Sequence, residues 1–309
     1  EGKMNLATLR SGGKRALAAA LAALESRPDD PEVQALLDEA WNAQSGIAIG
    51  LTGPPGVGKS TLANALVKAF RERGKTVAVA AVDPSSRASR GAILGDRARI
   101  DADPADAGIF VRSFAARDRL GGLADLAAPA TVLFRALYDV VLIETVGVGQ
   151  SETEIADIAD LVVFCAQPAS GDALQFMKAG VMEIPDLAVV TKADMGAAAR
   201  RAAADLKGAL ALAVRDGAAP RVMTCSANTG DGLPELAEAL LSGAEELSGP
   251  PLIAKRRAQG QAWVVQSIKA RFGREGFSKV GSESLLRHDE TPFARERLAA
   301  AVIQQARPN

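Results

Sequence analysis

The sequence predicts an α/β fold: a mostly parallel sheet flanked by helical extensions at both ends of the chain. Three observations carry this. From Gly46 onward, short apolar runs alternate with helix-forming stretches; Gly53–Ser60 spells a phosphate-binding loop between one such strand and one such helix; and residues 246–309 lose the strand pattern. Strands alternating with helices at this rhythm build parallel sheets covered on both faces, because each crossover lays a helix on the sheet.

The elements follow in order. Over residues 6–45, Leu17, Leu21 and Leu24, then Val33, Leu36, Leu37 and Trp41 after the Pro28–Pro31 segment, recur at helical spacing. They predict a pair of helices packed on the next domain, so residues 1–45 form an N-terminal helical extension. Across residues 46–245, strands are expected at 47–52, 76–82, 109–112, 139–144, 160–166, 186–191 and 220–225, with helices at 59–73, 121–136, 172–182, 197–214 and 233–242. A ligand of such a sheet sits at the carboxyl ends of its strands. In the C-terminal arm, residues 246–309, Pro250-Pro251 marks a break, Trp263, Val264, Ile268 and Phe272 form an apolar stripe on a basic helix, and a final helix is expected over 293–306. The run Lys255-Arg256-Arg257 reads as a solvated face.

The stretch Gly53-Pro54-Pro55-Gly56-Val57-Gly58-Lys59-Ser60 matches G-x-x-x-x-G-K-[ST]. The apolar run 47–52 precedes it and helix-forming Thr61–Lys68 follows, which is the context a phosphate-binding P-loop requires. Its glycines let successive N–H groups point into one concavity, and the helix N-terminus adds a favourable dipole. Gly53, Pro55, Gly56, Val57, Gly58, Lys59, Ser60 and Thr61 are the expected phosphate-binding residues, with Lys59 on the β- and γ-phosphates and Ser60 on Mg²⁺.

The strand ending at Val190 leads into Thr191-Lys192-Ala193-Asp194, a T-K-x-D version of the guanine-reading N-K-x-D. Asp194 would accept both N1–H and N2–H₂ of guanine, a pair adenine does not offer, while the Lys192 stem covers the base. Thr191 in place of Asn is expected to weaken the contacts that brace the loop. Thr224-Cys225-Ser226-Ala227 resembles the second guanine element, and with Ser226 and Ala227 added the expected ligand is GTP or GDP. A site built to bond a group strongly rejects ligands lacking it.

Three carboxylates are candidates for Mg²⁺ beside Ser60: Glu144 at the end of the apolar strand Val140–Ile143, Asp83 at the end of Val77–Val82, and Asp96 in Gly95-Asp96-Arg97. Glu144-Thr145-Val146-Gly147 supplies E-x-x-G, whose Gly147 N–H could hold the γ-phosphate and move on hydrolysis. Lys59 and Glu144 are the expected catalytic groups. No Gln follows Gly147 directly, so Gln150 is the candidate for positioning water, and slow turnover raised by a partner is expected.

Composition narrows the classes further. Lys+Arg 36 against Asp+Glu 37 leaves a net charge of −1, which points to neither a nucleic-acid nor an anionic-membrane partner. Cys165 and Cys225 lie in separate apolar runs and read as buried thiols in a reducing compartment. No stretch reaches the ~18 uninterrupted apolar residues of a membrane span, and none reads as a signal peptide. A cytoplasmic location is expected.

Gly53–Thr61, Val82-Asp83-Pro84-Ser85-Ser86, Gly91-Ala92-Ile93-Leu94-Gly95-Asp96-Arg97 and Glu144-Thr145-Val146-Gly147-Val148-Gly149-Gln150-Ser151-Glu152 together resemble the MeaB/ArgK family, over roughly residues 10 to 245. These are GTPase chaperones of adenosylcobalamin-dependent acyl-CoA mutases such as methylmalonyl-CoA mutase. The resemblance implies a G domain, a C-terminal arm that makes a homodimer, and nucleotide-dependent gating of cofactor loading and protection of the mutase. It implies Asp83, Asp96 and Glu144 as the metal acids. It also implies that Gly171–Lys178 signals to the mutase, with Asp172, Gln175 and Lys178 as its polar members. Departures from the family pattern at 171–178, at 191–194 and in Arg87-Ala88-Ser89-Arg90 point toward a related mutase as client.

Other classes fit less well. A nickel-metallochaperone GTPase needs Cys/His clusters, whereas the single histidine is His288 in the tail and the cysteines stand apart. A small-molecule kinase needs an acceptor pocket and a base near the γ-phosphate, and the guanine signature argues against it. A non-hydrolysing P-loop protein would lack the parts that Lys59, Ser60 and Glu144 supply.

Overall fold

The computed structural model describes residues 3–83, 100, 103–115, 124–145, 154–168, 185–213, 219–280 and 290–305. The chain opens on helices α1 (Leu6–Ser26) and α2 (Pro31–Asn42). Asn5 caps α1 by accepting from the Thr8 N–H at 2.9 Å, and Asp30 caps α2 by accepting from the Glu32 N–H at 2.9 Å, with Pro31 in the first turn. Each cap satisfies a donor that the helix itself leaves open. The predicted stripe of Leu17, Leu21, Leu24, Val33, Leu36 and Leu37 is buried.

Seven strands follow among the described residues: β1 (Ile47–Thr52), β2 (Val77–Asp83), β3 (Ile109–Ala115), β4 (Val140–Thr145), β5 (Leu161–Ala166), β6 (Leu187–Val190) and β7 (Arg221–Thr224). They form one sheet in the order β3-β2-β4-β1-β5-β6-β7, and every pairing is parallel. The expected boundaries hold within a few residues; the largest difference is β3, which runs on to Ala115. Helices α3 (Lys59–Glu72), α4 (Ala124–Leu137) and α5 (Ala197–Ala213) lie between strands, and α6 (Leu233–Leu247) follows β7 and leads into the arm. The helix expected over 172–182 lies outside the described residues.

Strand alternation sends side chains to opposite faces. In β1, Ala48 joins the core formed with α1, α2 and α4, whereas Ile47, Ile49 and Leu51 join the core formed with α3 and α6. β4 does the same with Val141 and Ile143 on one side, and Val140 and Leu142 on the other. Both faces are therefore dry, which is why these strands read as unbroken apolar runs. The N-terminal helix pair lies directly on the first of these faces.

The arm comprises α7 (Pro250–Lys279), kinked at Gly273, and α8 (Pro292–Gln305). Val264 and Ile268 of the predicted stripe are buried against Ala299 and Ile303. Phe293 meets Trp263 edge-on with ring centroids 5.0 Å apart and Trp41 at 6.4 Å, which ties the arm to α2. Among the described residues no helix is long and apolar enough to cross a membrane.

The run Lys255–Arg257 does not form the expected solvated face. Only Arg257 faces outward; Arg256 is 8% exposed and pairs with the fully buried Asp160 at 2.8 Å. Arg135 of α4 closes on the same carboxylate at 3.0 Å, and the Ala48 N–H donates to it at 2.7 Å. The partners lie far away in sequence, so a local charge run could not reveal them.

Candidate nucleotide-binding site

The site is built at the carboxyl ends of β1, β4, β5, β6 and β7. β1 leads into the loop 53–58, and α3 begins immediately after it with no side chain capping its N-terminus, so its first N–H groups remain open to an anion. Gly53 has φ +133, and a Cβ there would lie 2.2 Å from the Cys165 carbonyl oxygen. No other residue fits that turn. Lys59 is buried, and its ammonium donates to the carbonyls of Gly53 and Pro54 at 2.7 and 2.8 Å.

The register pairs Glu144 of β4 with Leu51 of β1, which brings its carboxylate to the head of α3. There the Ser60 hydroxyl donates to Glu144 Oε1. Burial pushes the Glu144 carboxyl above its ordinary range, against the Ser60 hydrogen bond and the Lys59 charge, which both hold it down. Thr52 and Thr145, which end adjacent strands, have buried hydroxyls with no hydrogen-bond partner among the described residues. Open polar groups of this kind beside a hydroxyl–carboxylate pair suit a polar, charged ligand.

The second half of the site lies where β6 and β7 end. The Cys225 N–H donates to the Val190 carbonyl and the Ala193 N–H to the Cys225 carbonyl, each at 3.0 Å, so the two loops interlock. Asp194 is exposed, and its Oδ1 accepts from the Ser226 hydroxyl at 2.7 Å. Ala227 follows in the same turn. Lys192 sits in the left-handed region with φ +57, and its ammonium donates to Gln167 Oε1 at 2.6 Å. Gln167 carries no motif and went unread in the sequence.

Thr191 overturns one expectation. Rather than weakening the bracing, its hydroxyl lies 2.6 Å from the Val57 carbonyl and 3.1 Å from that of Ala166, so it bonds the guanine-type loop to the P-loop. A shorter side chain does the bracing because the two backbones approach closely enough.

The remaining sequence candidates divide simply. Asp83 closes β2, and only its main chain is described. Asp96, Gly147, Gln150, Asp172, Gln175 and Lys178 lie outside the described residues. Both thiols are buried as expected, and burial pushes each up to about 12. They are not poised as nucleophiles or metal ligands.

A family model described as methylmalonyl Co-A mutase-associated GTPase MeaB matches residues 17–279. The chain belongs to this family. Its relatives include the GTPase ArgK of Escherichia coli, 35% identical over 294 residues that cover 90% of this chain and 88% of that protein. The mouse methylmalonic aciduria type A homolog, mitochondrial, is 37% identical over 257 residues, covering 81% of this chain and 59% of the mouse protein. Among solved structures, a LAO/AO transport system kinase superposes with a TM-score of 0.68 at 32% identity over 96% of both chains. This MeaB-family protein is thus a GTPase of the P-loop class, and GTP and GDP are its nucleotides.

Proposed function

We propose that this GTPase is a chaperone that gates cofactor loading and protection of an adenosylcobalamin-dependent acyl-CoA mutase, either methylmalonyl-CoA mutase or a related enzyme. The observation that carries the reading is the extent of the mutase-associated family match, which continues beyond the nucleotide domain to residue 279 in the arm. The three-part division at residues 45/46 and 245/246 belongs to this reading. So do homodimer formation through the arm and a cytoplasmic location without nucleic-acid or membrane partners.

In the proposed mechanism, the N–H groups of Gly56–Lys59 and the Lys59 ammonium cradle the phosphates, with Lys59 exchanging its two loop carbonyls for phosphate oxygens. A hydroxyl and a carboxylate in contact are hard oxygen donors of the kind Mg²⁺ selects, so Ser60 and Glu144 fit that ion, with Asp83 and Asp96 as further candidates. Bound there, Mg²⁺ would supply neutralisation of phosphate charge. Positioning and charge account for most phosphoryl-transfer catalysis. Gly147 holds the γ-phosphate and Gln150 orients water. Residues 84–99 and 145–153 differ between the GTP and GDP states, and Asp172, Gln175 and Lys178 pass that difference to the mutase.

The test is GTP hydrolysis by the purified chain, alone and with adenosylcobalamin-dependent acyl-CoA mutases, with ATP as control. Slow GTP-only turnover raised by one mutase supports the reading; indifference to every such mutase removes the client. Asp194 offers a sharper check on the guanine pocket. Asp194→Asn replaces an acceptor of both guanine donors with a mixed group, and is expected to reduce the preference for GTP over ATP by about 10²-fold or more in competition binding. Undiminished selectivity would remove Asp194 from the base site.

A further inference from the structure

One face of α7 makes most of its polar contacts with a single stretch of chain, residues 155–160, and Arg256 also donates to the Gly46 carbonyl at 2.6 Å. Lys255 Nζ donates to the Asp160 carbonyl at 2.6 Å, Arg256 Nε and Nη2 reach the Asp160 carboxylate at 3.0 and 2.8 Å, and Gln259 Nε2 donates to the carbonyls of Ala156 and Ala159 at 2.9 and 2.7 Å. Positions 255, 256 and 259 share this face because residues three and four apart align on a helix. The stretch opens as a short 3₁₀ turn, Ile155–Asp157, a geometry that recurs at hinges and connectors.

On its other side the same stretch rests on β1. A Cβ at Gly50 would lie 2.6 Å from Ile155 Cγ1 and 3.0 Å from Ala159 Cβ, so only glycine lets the turn seat there. Gly50 stands three residues before Gly53 and the phosphate loop. At its start, the turn follows Glu154, which residues 146–153 join to Thr145 and hence to Glu144, the carboxylate bonded to Ser60. The chain between the site acid and the turn therefore has two fixed ends, one in the sheet and one clamped between β1 and α7.

We propose that Gln259 is a positioning residue for GTP hydrolysis. Through the Ala156 and Ala159 carbonyls it ties the stretch 155–160 to α7, and so fixes the anchor that follows the segment leading from the site acid Glu144. This rests on the reading of 145–153 as a nucleotide-responsive loop. Gln259 suits the role better than Asp160 because it is neutral and half-buried, so its loss leaves the ionic core intact. It also makes the arm part of the hydrolytic unit, by a route that any contact on α7 can bias.

The test uses the full chain. Gln259→Met keeps the length and apolar stem and removes both donors; Gln259→Lys keeps a donor. Steady-state hydrolysis and GDP binding are measured for each. The expected result for Gln259→Met is a fall in kcat of about tenfold with KM and GDP affinity nearly unchanged, since misplacing a reacting group affects rate before binding. Gln259→Lys is expected to recover most of the rate. Normal kcat in Gln259→Met, equal loss in both variants, or a parallel loss of GDP binding each overturns the proposal. Lys59→Ala separates the two levels: retained GTP binding there removes the site reading itself, whereas lost binding there with normal hydrolysis in Gln259→Met removes the positioning role alone.

Discussion

Asp160→Asn is expected to lower the unfolding free energy by about 3–5 kcal/mol, the range for breaking a buried ion pair from one side. Asp160 is fully buried and holds three donors: Arg135 at 3.0 Å, Arg256 at 2.8 Å and the Ala48 N–H at 2.7 Å. The amide retains the shape and removes the charge, leaving two buried guanidiniums without a counter-ion, and a guanidinium does not escape by losing its proton. The damage is also widespread, because the triad joins α4, β1 and α7. Denaturant titration measures it; a loss below about 1 kcal/mol would mean the triad is far more solvated than its burial indicates.

The same carboxylate predicts an acid limb. Burial by itself pushes Asp160 up, but Arg135, Arg256 and the Ala48 N–H outweigh it and hold the group below the ordinary carboxylate range. For an acid depressed in the folded state, the stabilisation is complete above the unfolded value of about 4 and is lost as pH falls through the folded value below it. Wild type should therefore lose stability steeply below about pH 4, and Asp160→Asn should lose less over that window. Identical acid profiles for the two would remove Asp160 as the titrating group.

Lys59→Ala is expected to weaken GTP and GDP binding by about 10²–10³-fold, corresponding to about 3–4 kcal/mol, the usual penalty for truncating one partner of a buried charged pair. The ammonium is buried and already bonded to the Gly53 and Pro54 carbonyls, so the variant loses the phosphate partner and an internal tie of the loop together. Calorimetry with GDP reads the affinity directly. Wild-type affinity in the variant would rule out 53–60 as the phosphate loop.

How much of this was legible in the sequence depends on how local the cause is. The strands were readable because residues such as Val140–Ile143 are buried on both faces and leave continuous apolar runs. The elements around Gly53–Ser60 and Thr191–Asp194 were readable because each is a short turn chemistry with few solutions. The contact between Ser60 and Glu144 was an expectation from strand-end position, and the β1–β4 register brings it about. Thr191 misled because it was judged only as a departure from Asn, whereas its function as a brace depends on how near the P-loop backbone comes.

Arg256 misled for a related reason, and Gln259 went unread. Both sit on a helix whose charged residues suggest water, and nothing within a turn of either points to residues about 100 positions earlier. By itself the sequence determined the alternation of elements, the phosphate loop and the guanine-type loops, since these follow from local periodicity and from turns only certain residues can make. The tertiary structure alone decided that α7 grips the stretch at 155–160 and that an Arg–Asp–Arg cluster lies at the core. Charges lose their water only when distant segments close around them, and which segments close is set by the packing of the whole sheet.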